Sequence, residues 1–467
     1  MHHLNIPHRL AVALAFILVA TIAVPAVAGG PGGKTITLTP ADDIQNAINS
    51  GMYSEIVLSP GTYNQGVDFG GQPITLRGTN PDDATVVSAT ILDGTGLGGS
   101  IIVCDNGEGP DTRIVGLTIM NGLATGTSPN DRGGAIRCFP GSPTIDRCRV
   151  FNNAATFGGA LYASGSTPRI IDCLFVFNDA GEGGCLYFNM SGNQEVEVTG
   201  TTFDTCSGSR GGVIRSQSGR LRLIDCLILD AFAGIVGGAI YSNNTVLEIE
   251  RTMINGCSAP NGSAIYIENE PQLSTMSNSV LRFNGDFDGS VVYADAPFDF
   301  RNVTMRQNFG VAGPDNAVIF ATDPQALTLN STIIWDNELP AFTGEGSFIV
   351  SYSLIEGGWP GDGNIDVDPQ FTGQAGLSPT SPAIDAGDSI GFIDPNPIDF
   401  DGNPRAANRA ETPDTGRAYF GLTVDMGATE FQPAPIGNPN CPADVDLSGA
   451  VDFNDLLSVL SAFGACP

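Results

Sequence analysis

The chain has almost no histidine and almost no lysine. Its three histidines are His2, His3 and His8, and Lys34 is the one lysine in 467 residues. With residues 1–28 read as a cleaved leader (below), no histidine is left. That excludes a Ser-His-Asp triad and histidine-ligated zinc, and it leaves a single lysine for Schiff-base chemistry. Carboxylate, arginine, tyrosine, hydroxyl and thiol groups remain for any catalysis. Charged residues are also sparse, at 15%, while 60 glycines and 31 prolines are present. An average α/β enzyme does not have this balance; a turn-rich β architecture does.

Long apolar runs are scarce too. The clearest, Leu10 to Val24, follows Arg9 and precedes the small-x-small site Ala26-Val27-Ala28. It is shorter than the roughly 20 residues needed to span a bilayer, so it reads as a secretory signal, residues 1–28, and not as an anchor. The expected product is secreted or attached to the cell surface, with no membrane span after signal removal. Fifty acidic against 20 basic residues give a formal charge of −30. Such a surface repels nucleic acid and attracts divalent cations, and its plainer use is solubility.

What the sequence has in abundance is repetition. GGAI at Gly133, GGAL at Gly158, GGCL at Gly183, GGVI at Gly211 and GGAI at Gly237 are followed by GSAI at Gly262, GSVV at Gly289 and NAVI at Asn316. The intervals are 25, 25, 28, 26, 25, 27 and 27 residues. Between them recur short segments rich in Ile, Val, Leu, Phe and Thr, such as PTIDRCRVFNN, PRIIDCLFVFND and LRLIDCLILD, bounded by turn residues. These read as strands. One such unit cannot bury its own apolar face, but stacked units can, so the expected fold is all-β, a right-handed parallel β-helix over residues 29–431. A propeller needs blades of about 40 residues, and these units are too short. Thr39-Pro40-Ala41-Asp42 predicts a helix start, with Ile44, Ala47 and Ile48 on one face, which would cover the exposed first edge. Asn153, Asn178, Asn284, Asn308 and Asn337 recur at one place in the unit and predict a ladder of turn-bonding side chains. GTGLGG, Gly94 to Gly99, matches a nucleotide-binding pattern but leads into SIIVC and not a helix, so it is set aside.

The helix, the IVLSPGTY turn and the GGAI coils together resemble the pectin-lyase-like β-helix family, and GGAI with an FxxN-like partner at Phe175-Val176-Phe177-Asn178 also resembles the adhesive repeats of polymorphic outer-membrane proteins. Further on, IDVDPQF, SPAIDAGDS, DFDGNPR and VDMGATEF, within residues 365–431, resemble the closing segment of exported β-helix proteins of the choice-of-anchor Q type. The first resemblance implies lyases that bind calcium through aspartates and use an arginine base, or hydrolases with clustered aspartates. The signature stretches of those enzymes are missing. The candidates that remain are Asp146, Asp172 and Asp225 with Arg147, Arg169 and Arg222. Stacked on neighbouring coils, carboxylates would raise one another's pKa and hold Ca²⁺; the plainer account is aspartate and arginine paired between coils.

Eight of the ten cysteines fall inside coils. Cys148 and Cys173 are one 25-residue unit apart, within disulfide range if stacked, but buried thiols filling the core are the favoured reading. After the linker 432–440 comes CPADVDLSGAVDFNDLLSVLSAFGACP, residues 441–467. Asp444, Asp446, Ser448, the Ala450 carbonyl, Asp452 and Asp455 fall at positions 1, 3, 5, 7, 9 and 12 of a calcium loop, with Gly449 at the sharp turn. Leu456, Leu457, Leu460 and Phe463 follow as a helical apolar face, and Cys441 and Cys466 bracket the segment for a disulfide. Aspartate at position 12 resembles dockerins, and the cysteine brackets resemble the GC-type tails of exported bacterial proteins. That resemblance implies calcium as cofactor and a cell-surface or cohesin-like receptor for the tail. The body is then expected to present a face to polysaccharide or a surface partner; the alternative is a polysaccharide lyase or glycoside hydrolase.

Overall fold

The computed structural model describes residues 33–432 apart from 287–288, 312–315, 323, 325, 391–396, 406–411 and 420–421. The signal segment, the calcium loop Asp444 to Asp455 and the Cys441/Cys466 bracket lie outside the described residues.

One repeat shows how the chain winds. Strand Ile136–Cys138 is followed by Thr144–Asp146, Arg149–Phe151 and Ala154–Phe157, and the next repeat opens at Leu161–Ser164. Ile136 lies in parallel register with Leu161, and each later strand likewise pairs with its counterpart one turn on. The result is a parallel β-solenoid. Its first sheet, which carries the Gly-Gly strands, has 11 strands, from Val67–Asp68 to Phe342–Gly344. The second sheet takes two strands from most turns and has 23. A third sheet has five, from Leu123–Ala124 to Phe232–Val236. Eleven turns at the spacing of hydrogen-bonded strands make a rod of about 50 Å.

Alternation along each strand sends one set of side chains inward, and stacking turns these into columns. Ile145, Ile170, Val198, Leu223, Ile249, Met276, Phe300, Leu329 and Val350 stand in successive register and are all buried. Each such side chain contributes roughly 1.5–3 kcal/mol, realised only once a neighbouring turn covers it. The Gly-Gly pairs have two separate causes. The first glycine, as at Gly158 with φ +64°, is in the left-handed region. The second has no room for a side chain: a Cβ on Gly159 would lie 2.3 Å from the Gly184 carbonyl oxygen of the next turn.

The first-edge helix forms at Ile44–Asn49 and buries Ile44, Ala47 and Ile48. Its start differs from the expectation. Thr39 to Asp42 closes a turn, in which Asp42 accepts from the Thr39 amide and hydroxyl, and Asp43 is the N-cap that accepts from the Asn46 amide. Asp43 wins because it stands directly before the apolar triplet, whereas the carboxylate of Asp42 is already engaged by Thr39.

Inside the solenoid the asparagine ladder is formed. Asn178 accepts from the Asn153 amide and side chain, both at 3.0 Å, and donates to the Val150 and Val176 carbonyls. Asn284, Asn308 and Asn337 repeat the arrangement. Cys206, Ala231 and Cys257 occupy the same slot between the two runs, and Cys206 is disulfide-bonded to the neighbouring buried Cys185. Cys148 and Cys173 remain free thiols, with the Cys148 amide donating to Cys173 Sγ at 3.4 Å.

The described parts of residues 369–432 fold back over the outer face of the second sheet. Ile333, Leu354, Leu377, Ala383, Ile384, Ala386 and Met426 form one small core there, and Met253, Val280, Ala375 and Ala428 form another. Polar bonds fix the register: the Ala428 amide donates to Thr304 Oγ1, Asn302 Nδ2 to the Asp425 carbonyl, and Arg405 Nε to Asn278 Oδ1.

Candidate functional site

Each turn crosses the second sheet through two sharp bends, and at each bend one residue has positive φ. Stacked, these residues make two ridges along the rod. The first runs Gly116, Arg147, Asp172, Gly200, Asp225, Arg251, Asn278, Asn302, Ser331 and Tyr352. The second runs Asn121, Asn152, Phe177, Thr205, Asp230, Gly256, Phe283, Gln307 and Asp336.

Three of the six candidate residues, Arg147, Asp172 and Asp225, lie on the first ridge. Asp146 lies one residue earlier, in strand register with Ile171, so the three aspartates do not share a column. Asp146 is buried and bonded to Arg113 Nη2 at 2.9 Å and Arg147 Nε at 2.9 Å, and Arg147 also reaches Asp82. Those two carboxylates hold the Arg147 guanidinium firmly protonated, Asp146 foremost. Asp225 takes a two-pronged contact from Arg251, at 2.6 and 3.1 Å. Arg222 lies between Glu197 at 2.7 Å and Glu248 at 3.0 Å, beside a shallow depression shared with Ile224, Glu250 and Thr275. Arg169 is exposed, in register with Thr144 and Glu197.

Asp172 differs from the others. Partial burial raises its pKa, and the charges of Asp146 and Asp225 add to this against the opposing charge of Arg147. Its carboxylate leans over Gly200, where a Cβ would lie 2.1 Å from Asp172 Oδ1. The same relation recurs on the second ridge, where a Cβ on Gly256 would lie 2.2 Å from Asp230 Oδ1, and Asp230 too is raised by burial and then by Asp204. An aspartate leaning over a glycine of the next turn is therefore a recurring way to build these bends. Among the described residues no group of three or more Asp, Glu, Cys or His side chains is arranged to hold a metal ion.

The first sheet carries an outward aromatic column. Tyr162 stacks on Tyr187 at 5.2 Å, Arg215 lies over the rings of Tyr187 and Tyr241 at 4.8 and 5.6 Å, and Tyr266, Tyr293 and Phe320 continue the stack at 4.3 and 5.0 Å. Ring faces here are spent on one another, and Tyr162, Tyr187 and Tyr241 are buried. The column stabilises the rod and offers only ring edges to a ligand.

A different set of rings is exposed. Of five exposed phenylalanines among the described residues, Phe177, Phe232, Phe283 and Phe309 lie on or two residues past the second ridge. Sequence reasoning passed over them because phenylalanine in an apolar run reads as core. The available signal was position: a phenylalanine directly before a ladder asparagine, as in Phe177-Asn178 and Phe283-Asn284, has to point outward.

The closing segment holds the most buried charges among the described residues. Arg405 is fully buried, bonded to the Gly427 and Ala428 carbonyls at 2.8 and 2.6 Å and 3.5 Å from Glu430. Asp385, Asp399, Asp425 and Glu430 are also buried in this segment. Asp425 accepts from the Asp385 and Phe431 amides, and Asp399 accepts from the Asn403 and Glu430 amides. Burial pushes Asp425 up to about 7 and lifts Glu430 well above the usual carboxylate range.

Comparison of the chain with family models finds no match, and comparison with curated proteins finds none.

Proposed function

We propose that this is an exported protein whose β-solenoid body binds polysaccharide or a surface partner along its length, and whose tail, residues 441–467, attaches it to a receptor through a calcium loop. The observation that carries the binding reading is the form of the exposed surface. It consists of columns repeated turn after turn on a straight rod, while Asp146, Arg147, Asp225 and Arg222 are each paired with an opposite charge. A repeated ligand suits a repeated surface. For the tail, support comes from the sequence: six ligand positions, the turn glycine and the following apolar helix agree with one loop, and its resemblance to dockerin tails points to attachment. Asp444, Asp446, Ser448, Ala450, Asp452 and Asp455 would hold the ion, and Cys441 with Cys466 would close the segment.

A second reading, hydrolase or lyase, draws on Asp172 and Asp225. They stand two turns apart, about 10 Å between Cα atoms, with only Gly200 between them. One has a raised pKa and the other is ion-paired with Arg251, the kind of unlike pair that divides acid and base roles. They lie on a convex ridge, however, where nothing excludes water from a reacting bond. The test is a screen of the mature protein, with and without Ca²⁺, on acidic and neutral polysaccharides, reading both retention and new reducing or unsaturated ends. Retention without bond cleavage is the expected result; new chain ends, lost in Asp172→Ala or Asp225→Ala, would favour the enzyme.

A further inference from the structure

We propose that the second ridge is a track for an extended, neutral, β-1,4-linked glycan, with Phe177, Phe232 and Phe283 as stacking platforms for every second sugar. This rests on the polysaccharide reading and adds to it a place and a substrate class.

The spacing is the main argument. Phe177 and Phe283 stand on the ridge itself, and Phe232 stands two residues past the ridge residue Asp230, on the other side of the inward ladder slot. Counted by turns, Phe232 lies two after Phe177, and Phe283 two after Phe232. Leu123, in the column of Phe232, lies two turns before Phe177 and is 52% exposed. Two turns are about 10 Å along the rod. In an extended β-1,4-linked pyranose chain each sugar is flipped relative to its neighbour, so the same apolar C–H face returns every second residue, at that same repeat. Phe309, one turn after Phe283, stands outside the period.

Chemistry agrees with the spacing. Phe177 is 52% exposed, Phe232 51% and Phe283 41%; the Phe151 ring packs at 76° against Phe177, and the Arg282 guanidinium lies 4.4 Å over one face of Phe283. Phe177 at φ +54° and Phe283 at φ +52° take the positive φ that every position of this ridge takes, so the bend itself holds both rings outward. The turns between the rings carry Thr205, whose hydroxyl donates to Asp204, and the side-chain-free Gly256, so no bulky side chain stands on the ridge between the platforms. Asp204 and Asp230 flank the track on a chain of net charge −30, which disfavours a polyanion and leaves a neutral glycan.

The test uses the full chain and cellohexaose as probe, followed by calorimetry, with maltohexaose and calcium-loaded polygalacturonate as comparison arms. Binding to cellohexaose and not to maltohexaose is expected. Each of Phe177→Ala, Phe232→Ala and Phe283→Ala should weaken it by about threefold to tenfold and the triple variant by about thirtyfold to a thousandfold, given what one aromatic contact contributes. Phe139→Ala, exposed elsewhere on the rod, should leave affinity unchanged. Phe177→Gly relieves the left-handed strain and should lose affinity without lowering the melting temperature, which separates a binding role from a folding one. Undiminished cellohexaose binding by the triple variant would overturn the track and spare the polysaccharide reading. So would binding of polygalacturonate alone, or a change in oligomeric state of the triple variant with glycan binding intact. Wild-type protein that binds no glycan at all would overturn both.

Discussion

Raising the pH should loosen the closing segment. Arg405 shares its buried site with Asp399, Asp425 and Glu430, and Asp385 lies beside Asp425; Asp388 and the exposed Asp401 complete the acidic side, while the solenoid contributes the neutral Asn278, Asn302, Thr304 and Ser331. Asp425 is lifted from 3.8 to about 7, chiefly by burial. The folded state therefore holds a proton that the unfolded chain gives up near pH 4. Its contribution to stability is complete below about pH 4, declines as pH rises and is lost above about 7. About three pH units at 1.36 kcal/mol each make about 4 kcal/mol. Trp335, packed against the small core under the closing segment, and Trp359 are the two tryptophans, so urea unfolding followed by their fluorescence reports on this end. The urea midpoint should fall between about pH 5 and about pH 8, and Asp425→Asn should be weaker at pH 5 and fall less steeply across the interval, the remaining slope coming from Glu430. A midpoint that rises with pH, or an Asp425→Asn slope equal to wild type, would refute the reasoning.

Asn178→Leu strips two bonds from Asn153 and two from the Val150 and Val176 carbonyls inside the core, and should cost about 3 to 5 kcal/mol by chemical denaturation. Asp172→Asn removes a charge that burial already disfavours, so its stability should stay within about 0.5 kcal/mol of wild type or rise slightly at neutral pH. Alkylation before and after unfolding, read by mass spectrometry, should find Cys185 linked to Cys206 and the thiols of Cys104, Cys138, Cys148, Cys173, Cys226 and Cys257 reactive only once the body unfolds. Asp444→Ala with Asp455→Ala should abolish calcium binding by the tail and release the protein from its surface receptor, with the melting of the body unchanged; calorimetry and a cell-binding assay check the two halves.

The repeat was legible in the sequence, because parallel stacking requires the same residue types at the same place every 25 to 28 residues. Gly-Gly, the inward aliphatics and the ladder asparagines answer to constraints that each turn imposes on the next, so they recur in the chain as they recur in space. The proposed calcium loop rests on another kind of signal: its ligand positions are local, spaced within one short segment that lies outside the described residues. Outward residues obey no such rule, and here tertiary structure alone decided. The one-residue offset between Asp146 and Asp172 separates carboxylates that look equivalent in the repeats, since it places Asp146 on a strand and Asp172 on a bend. Arg405 looks like a surface arginine in DFDGNPR until the closing segment folds back some 127 positions in sequence to Asn278. The Cys185–Cys206 bond, 21 residues apart and so not one full turn, joins two neighbouring inward positions where the ladder asparagine is missing. Phe177, Phe232 and Phe283 acquire their common interval only when turns, and not residues, are counted: unequal turn lengths hide a regular rise that the hydrogen-bonded spacing of strands restores.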